Sequence, residues 1–353
     1  MRGLTIDVRR TGHVELAEVA EPQPGAGELL VEGVALGVCG TDRWLVAGGP
    51  RRTPQDRGWL ILGHESLGRV AAAPAGSRFP VGDLVTGLVR RPDPEPCEAC
   101  ARGDLDICRN GRYTERGIVG SDGYGAQRYL LDERYAVAVD ARLGLTGVLV
   151  EPTSIVAKAW ERLDAAVRRP GGRALILGAG PIGLLAALLA QQRGYDVHVV
   201  DRVDGGPKIA QTVALGATYH RGVDGLTGDF DAVLECSGEL GAAAIESTAR
   251  GGALCFIAGG HRSRQIEPAA VGSALTGGNR TFSGVTSSGR EHFEAAHAAL
   301  LAADRGWLDG LLTAVVPLEK YATAFEGGPD TIKSVIRLTG SACGQLLGGR
   351  PVQ

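Results

Sequence analysis

The run Gly178-Ala179-Gly180-Pro181-Ile182-Gly183 constrains this chain more than any other segment. It directly follows the apolar stretch Ala174-Leu175-Ile176-Leu177 and opens a helix-like run through Leu184 to Gln192. Glycines at this spacing permit a tight strand-to-helix turn and a close approach of backbone to a ligand. A helix starting there aims free N–H groups and the positive end of its dipole at an anion such as a pyrophosphate. From about 156 to 284 strand-like and helix-like runs alternate, with strands expected at 196–200, 230–235 and 254–258, which predicts a parallel sheet with helices on both faces. Asp201 lies 18 residues past Gly183, where such a fold places the acid that takes the adenosine ribose hydroxyls. The segment therefore reads as a Rossmann dinucleotide-binding unit, with Gly178, Gly180, Pro181, Ile182 and Gly183 around the phosphates. Asp201 argues for NAD; Arg202 beside it can neutralise the acid or hold a 2′-phosphate, which leaves NADP open.

At 353 residues the chain is long enough for two cores, and a cleft between them is a natural place for chemistry. Residues 1 to about 150 carry short alternating runs such as 13–19, broken by Pro and Gly, which predict a β-rich domain. Beyond the alternating region, 292–302 reads as helix and 312–317 and 334–338 as strands. A hydrophobic share of 44% with a formal net charge of −3 describes a globular protein with no electrostatic draw for nucleic acid. The longest apolar run, 174–190, is too short and too rich in Gly and Pro to span a membrane. No secretory pattern is read at Met1 to Asp7, so a cytoplasmic location is expected, and seven cysteines in a reducing compartment are expected as metal ligands or buried thiols.

Three segments bring metal-ligating residue types together: Cys39-Gly40-Thr41-Asp42, Gly63-His64-Glu65 and Glu151-Pro152. Singly, Cys39 reads as a buried thiol, His64 as a core histidine and Glu151 as a surface acid. As a set, thiolate, imidazole and carboxylate suit Zn²⁺ and leave a fourth position for a substrate oxygen. A separate stretch from Arg90 to Gly111, dense in Pro, charge and Cys, holds Cys97-Glu98-Ala99-Cys100 and Cys108, the start of a structural zinc lobe. Three thiolates are one short of four, so either Asp93 completes a zinc site or the thiols are free. Cys236, Cys255 and Cys343 read as structural.

Together these segments resemble the medium-chain dehydrogenase/reductase superfamily of zinc-dependent alcohol dehydrogenases, over nearly the whole chain. Arg90-Arg91-Pro92 and Tyr113-Thr114-Glu115-Arg116-Gly117-Ile118, leading to Gly123-Tyr124, are similar to its glucose dehydrogenase-like branch. The resemblance implies a GroES-like catalytic domain from 1–155 and 285–353 with a Rossmann domain, 156–284, inserted between. It implies a catalytic zinc held by Cys39, His64, Glu65 and Glu151, with Thr41 passing the alcohol proton outward and Glu115 accepting hydrogen bonds from substrate hydroxyls. Thr286 is placed near the nicotinamide where the branch often has Asn, and Thr276 where it often has His; both departures shift the expected substrate from glucose alone to a sugar, an aminosugar or a cyclitol. A homo-oligomer, dimer or tetramer, is also implied. Two other readings are a general zinc alcohol dehydrogenase and a non-catalytic cofactor-binding relative, the latter disfavoured by the presence of Cys39, His64 and Glu151.

Overall fold

The computed structural model describes residues 1–7, 10, 12–49, 53–54, 57–226, 228, 230–257 and 267–339. Cys343 and the end of the strand expected at 254–258 lie outside these residues. Two large sheets organise the molecule. The first is six-stranded and wholly parallel, in the order Thr218–His220, Asp196–Val200, Arg173–Leu177, Phe230–Glu235, Thr248–Phe256, Thr281–Gly284. Its central strand is buried from Ala174 to Leu177, as a parallel strand covered on both faces must be. The chain leaves that strand first to one side and later crosses to the other, so the strand order reverses beside Gly178, where open α/β sheets bind ligands.

The second sheet draws on both ends of the chain. It runs Ala136–Val139, Leu84–Gly87, Glu65–Ala72, Glu28–Val38, Ser334–Arg337, Ala314–Pro317, with Arg128–Asp132 also paired to Glu28–Val38. The register sets Gly37 opposite Glu65 and Val38 opposite Ser334. Residues 295 positions apart in sequence, Val38 and Lys333, thereby become neighbours.

The helix Val150–Asp164 joins the two parts, and the domain border expected at 155/156 falls inside it. It packs against the helices Pro181–Gln192 and Arg290–Leu301, and fully buried Trp160 donates its indole N–H to the Ala186 carbonyl at 3.2 Å. Phe293, Ala296 and Leu300 complete this core. Residues 290–311 thus lie on helices of the parallel-sheet half; Trp307 donates to the Gln211 carbonyl at 2.9 Å. The cysteine-rich stretch carries the two-residue strand Arg90–Arg91, the short helix Glu98–Arg102 and a turn of 3₁₀ helix, Leu105–Ile107. No helix among the described residues is long and apolar enough to cross a membrane.

Candidate metal centre and cofactor cleft

Strand Glu28–Val38 ends at Cys39, which caps the helix Gly40–Val46. The cap is reciprocal: the Thr41 N–H donates to Cys39 Sγ at 3.1 Å, and the Cys39 N–H donates to Asp42 Oδ2 at 2.9 Å. Cys39 Sγ lies 3.1 Å from His64 Nε2, and the ligand atoms of Cys39, His64 and Glu65 all fall within 4.8 Å of one another. Behind the histidine, Asp42 Oδ1 stands 3.5 Å from Nδ1, an arrangement that leaves Nε2 for the thiol side. Glu65 is ion-paired with Lys333, whose ammonium also donates to the Val38 carbonyl at 3.3 Å. Gly37 makes room for this pair: a Cβ there would meet Glu65 Oε2 at 2.0 Å.

The electrostatics of this buried group favour a cation. Burial alone would raise the Asp42 carboxyl, but His64 and the Cys39 N–H hold it below its usual range. Burial would lower His64, yet the Cys39 sulfur and Asp42 hold it well above its usual range. Glu151, in the first turn of Val150–Asp164, is pushed up to about 7 by burial; the His64 charge pulls the other way and Glu65 adds to the rise. Glu151 borders the site but stays outside the compact trio. Four acidic or thiol groups surround one imidazole and one ammonium, so a divalent cation would relieve repulsion that the protein alone leaves in place. The donor set fits zinc. Thr41 sits in the first helical turn, half-buried, and its hydroxyl has no hydrogen-bond partner among the described residues.

The cofactor cleft fits a dinucleotide. Gly180 caps the helix Pro181–Gln192 without a side-chain bond, Pro181 and Ile182 begin that helix, and its first N–H groups are left for a ligand. A Cβ at Gly183 would meet the Gly178 carbonyl oxygen at 1.7 Å, so only glycine lets the helix pack this closely on the turn. Asp201 Oδ2 accepts from the Ala179 N–H at 2.8 Å, and Oδ1 accepts from the Arg202 N–H at 2.7 Å. The Arg202 guanidinium is largely exposed and reaches toward Glu239; Lys208, half-buried, lies 3.8 Å from Asp201.

Glu115 is held by Arg90, whose Nε and Nη2 donate to Oε1 at 3.0 and 2.9 Å. Its neighbour Arg116 instead lies half-buried over the Tyr124 ring. Arg90 Nη1 also donates to the Asp106 carbonyl, Asp106 pairs with Lys158 at 2.5 Å, and Lys158 donates to the carbonyls of Thr286 and Ser287. One chain of contacts thus links Glu115 to the Thr286 segment. Thr276 lies exposed on the helix Pro268–Gly278 with its hydroxyl returned to the Gly272 carbonyl. In the cysteine lobe, Cys97, Cys100 and Cys108 have mutually close sulfurs. Asp93 does not join them, because its carboxylate accepts from the Glu95 N–H, Asn110 Nδ2 and Arg112 Nε, each at 2.9 Å. Backbone N–H groups of Cys100 and Arg109 pull Cys97 down to about 6, while burial pushes Cys100 up to about 11.

Sequence reasoning missed Lys158 and Lys333. Neither belongs to a motif; the available signal was that only 4 of the 37 basic residues are lysines.

Comparison with known proteins gives a consistent picture. The family model described as Glucose dehydrogenase C-terminus matches residues 144–338, and that described as Alcohol dehydrogenase GroES-like domain matches 25–141. A glucose 1-dehydrogenase of Thermoproteus tenax is 36% identical over 353 aligned residues, covering 96% of this chain and 99% of that protein. One from Methanocella arvoryzae is 34% identical with the same coverage. Among solved structures, the Haloferax mediterranei glucose dehydrogenase in complex with NADP, Zn and gluconolactone superimposes with a TM-score of 0.89 at 29% identity, over 96% of this chain and 100% of that one.

Proposed function

Because the chain belongs to the glucose dehydrogenase branch of the zinc-dependent medium-chain dehydrogenases, we propose that it transfers hydride between a secondary alcohol of a sugar, aminosugar or cyclitol and NAD(P). It is a zinc- and nicotinamide-dependent oxidoreductase. The observation that carries the reading is the Cys39–His64–Glu65 cluster, its His64 and Glu65 buried and backed by Asp42 and Lys333.

Zinc, when bound, supplies the Lewis acidity that lets an alcohol proton leave near neutral pH, and the nicotinamide accepts the hydride. Cys39, His64 and Glu65 hold the ion, with Glu151 as the additional carboxylate. Asp42 fixes the His64 tautomer, and Lys333 balances Glu65. The free Thr41 hydroxyl receives the departing proton and passes it outward. Glu115 takes hydrogen bonds from substrate hydroxyls on the oxygen that Arg90 leaves open. The loop Gly178 to Gly183 holds the pyrophosphate, Asp201 takes the ribose, and Thr286 stands by the nicotinamide. We assign 1–155 and 285–353 to the catalytic domain and 156–284 to the dinucleotide domain, with the Val150–Asp164 helix shared and the helices Arg290–Leu301 and Arg305–Leu311, although in the catalytic segment, packed on the dinucleotide side. A homo-oligomer is proposed on the unpaired outer edge of Thr281–Gly284, and a cytoplasmic location on the six described cysteines, all free.

Initial rates on aldoses, cyclitols and 2-propanol test this. Removing a charged acceptor forfeits about 1.5–3 kcal/mol, so Glu115→Ala should lower kcat/KM for the polyhydroxylated substrate by roughly 10- to 100-fold and for 2-propanol by less than about threefold. Equal losses would make the chain a general alcohol dehydrogenase. The same assay should give a higher kcat/KM with NAD than with NADP; the reverse would mean that Lys208 and Arg202 override Asp201.

A further inference from the structure

At the end of the parallel sheet opposite the cofactor cleft lies a second cavity of about 960 Å³, lined among others by Arg162, Arg168, Arg250, Asn279 and Thr281. Its three guanidiniums come from three separate places. Arg162 stands in the last turn of Val150–Asp164, Arg168 follows that helix, and Arg250 projects from a bulge in Thr248–Phe256. The bulge is large: the ladder passes from Phe230 opposite Thr248 to Ala232 opposite Ala253. Such an irregularity re-aims side chains that a regular strand would bury in its ladder.

None of these three arginines has an acidic partner among the described residues, and no acidic residue lines the cavity. The nearest acids in sequence are already engaged: Glu161 by His292 and Asp164 by Arg193. Elsewhere on the surface arginines are paired, as Arg128 with Glu21, Arg142 with Asp140 and Arg305 with Asp309. The remaining side-chain polar groups named above, the Asn279 amide and the Thr281 hydroxyl, can both donate. Because Thr281 begins the edge strand proposed for the homo-oligomer, a second copy would border the cavity on that side, while the three arginines stand on other elements. Ala165, Ala166, Gly251 and Gly278 line the same space and leave it open. Its rim is fixed, because Arg280 donates to the carbonyls of Ala249 and Ala274 and so ties the bulge to the helix Pro268–Gly278.

We propose that this cavity is a binding site for a phosphate polyanion, a diphosphate or nucleoside polyphosphate, separate from the cofactor cleft. Three planar guanidiniums match several phosphate oxygens through paired N–H groups, and the volume exceeds what a single orthophosphate fills. Arg162 stands 11 residues beyond Glu151 on one helix, about 16 Å of rise, so occupancy here leaves the catalytic groups uncovered.

The test is equilibrium dialysis of labelled pyrophosphate, and of ATP, against the zinc-loaded enzyme saturated with NADH, which closes the cofactor cleft to both probes. The wild type should bind one pyrophosphate per chain, with affinity falling steeply as salt rises. The R168A/R250A double variant should bind at least about tenfold more weakly while keeping turnover within about twofold, and Arg102→Ala, a surface control, should bind as wild type. ATP binding more tightly than pyrophosphate would identify a nucleotide ligand; equal binding, a bare diphosphate; either supports the site. Undiminished binding by the double variant, absence of binding to the NADH-saturated wild type, or a double variant whose loss of binding comes with a changed oligomeric mass would overturn it.

Discussion

Three of the chain's four lysines each face a carboxylate at or beside the candidate site: Lys333 meets Glu65, Lys158 meets Asp106, and Lys208 lies near Asp201. An ammonium donates in three directions from a compact head, which suits Lys333 between the Glu65 carboxylate and the Val38 carbonyl; a guanidinium fork is larger and flat. Both partners of the Lys333–Glu65 pair are essentially inaccessible to water. Truncating one partner of such a pair leaves a charge buried without compensation, at a cost of about 3–5 kcal/mol. In chelator-treated protein, Lys333→Met should therefore lower the urea unfolding free energy by about 3 kcal/mol, and adding Glu65→Gln should recover much of it. A loss under about 1 kcal/mol would mean that the pair is not formed. Cys39, His64 and Glu151 were legible in sequence because their types and neighbours form short motifs. Lys333 was not, because antiparallel register alone brings it to Glu65 from across nearly the whole chain.

The Val150–Asp164 helix gathers several functions on one element. At its start Glu151 borders the Cys39–His64–Glu65 group, Ser154 bonds Ser288, Lys158 bolts the Thr286–Ser287 carbonyls to Asp106, and Arg162 reaches the second cavity. Lys158 ties the cysteine lobe to the Thr286–Ser287 segment. Lys158→Met would strand the Asp106 carboxylate and free two carbonyls, so kcat/KM for the sugar should fall by about tenfold or more while zinc content stays unchanged. Unaltered kinetics would show that the Thr286 segment is positioned without it. Strands and helices here were largely readable: the strand expected at 196–200 is Asp196–Val200, and the helix expected at 292–302 is Arg290–Leu301. What periodicity could not reveal was that this helix packs against Val150–Asp164, or that Asp93 would spend its carboxylate on Asn110 and Arg112 rather than on a metal. Such choices depend on tertiary neighbours, which a local pattern does not encode.

At the scale of the whole molecule, two chain ends close one sheet and present the candidate metal group Cys39, His64 and Glu65, while the intervening chain forms the parallel sheet that presents Gly178 to Gly183. The candidate metal group and the Gly178–Gly183 turn thus reside on different cores that meet along the Val150–Asp164 helix, so metal loss is expected to leave cofactor binding intact. The direct measurement is to compare turnover and NADH affinity in Cys39→Ala and His64→Ala, with zinc counted per chain. The account predicts one zinc fewer, turnover lower by about 10³-fold or more, and an NADH Kd within about twofold of wild type. Wild-type turnover in either variant after metal depletion would contradict it.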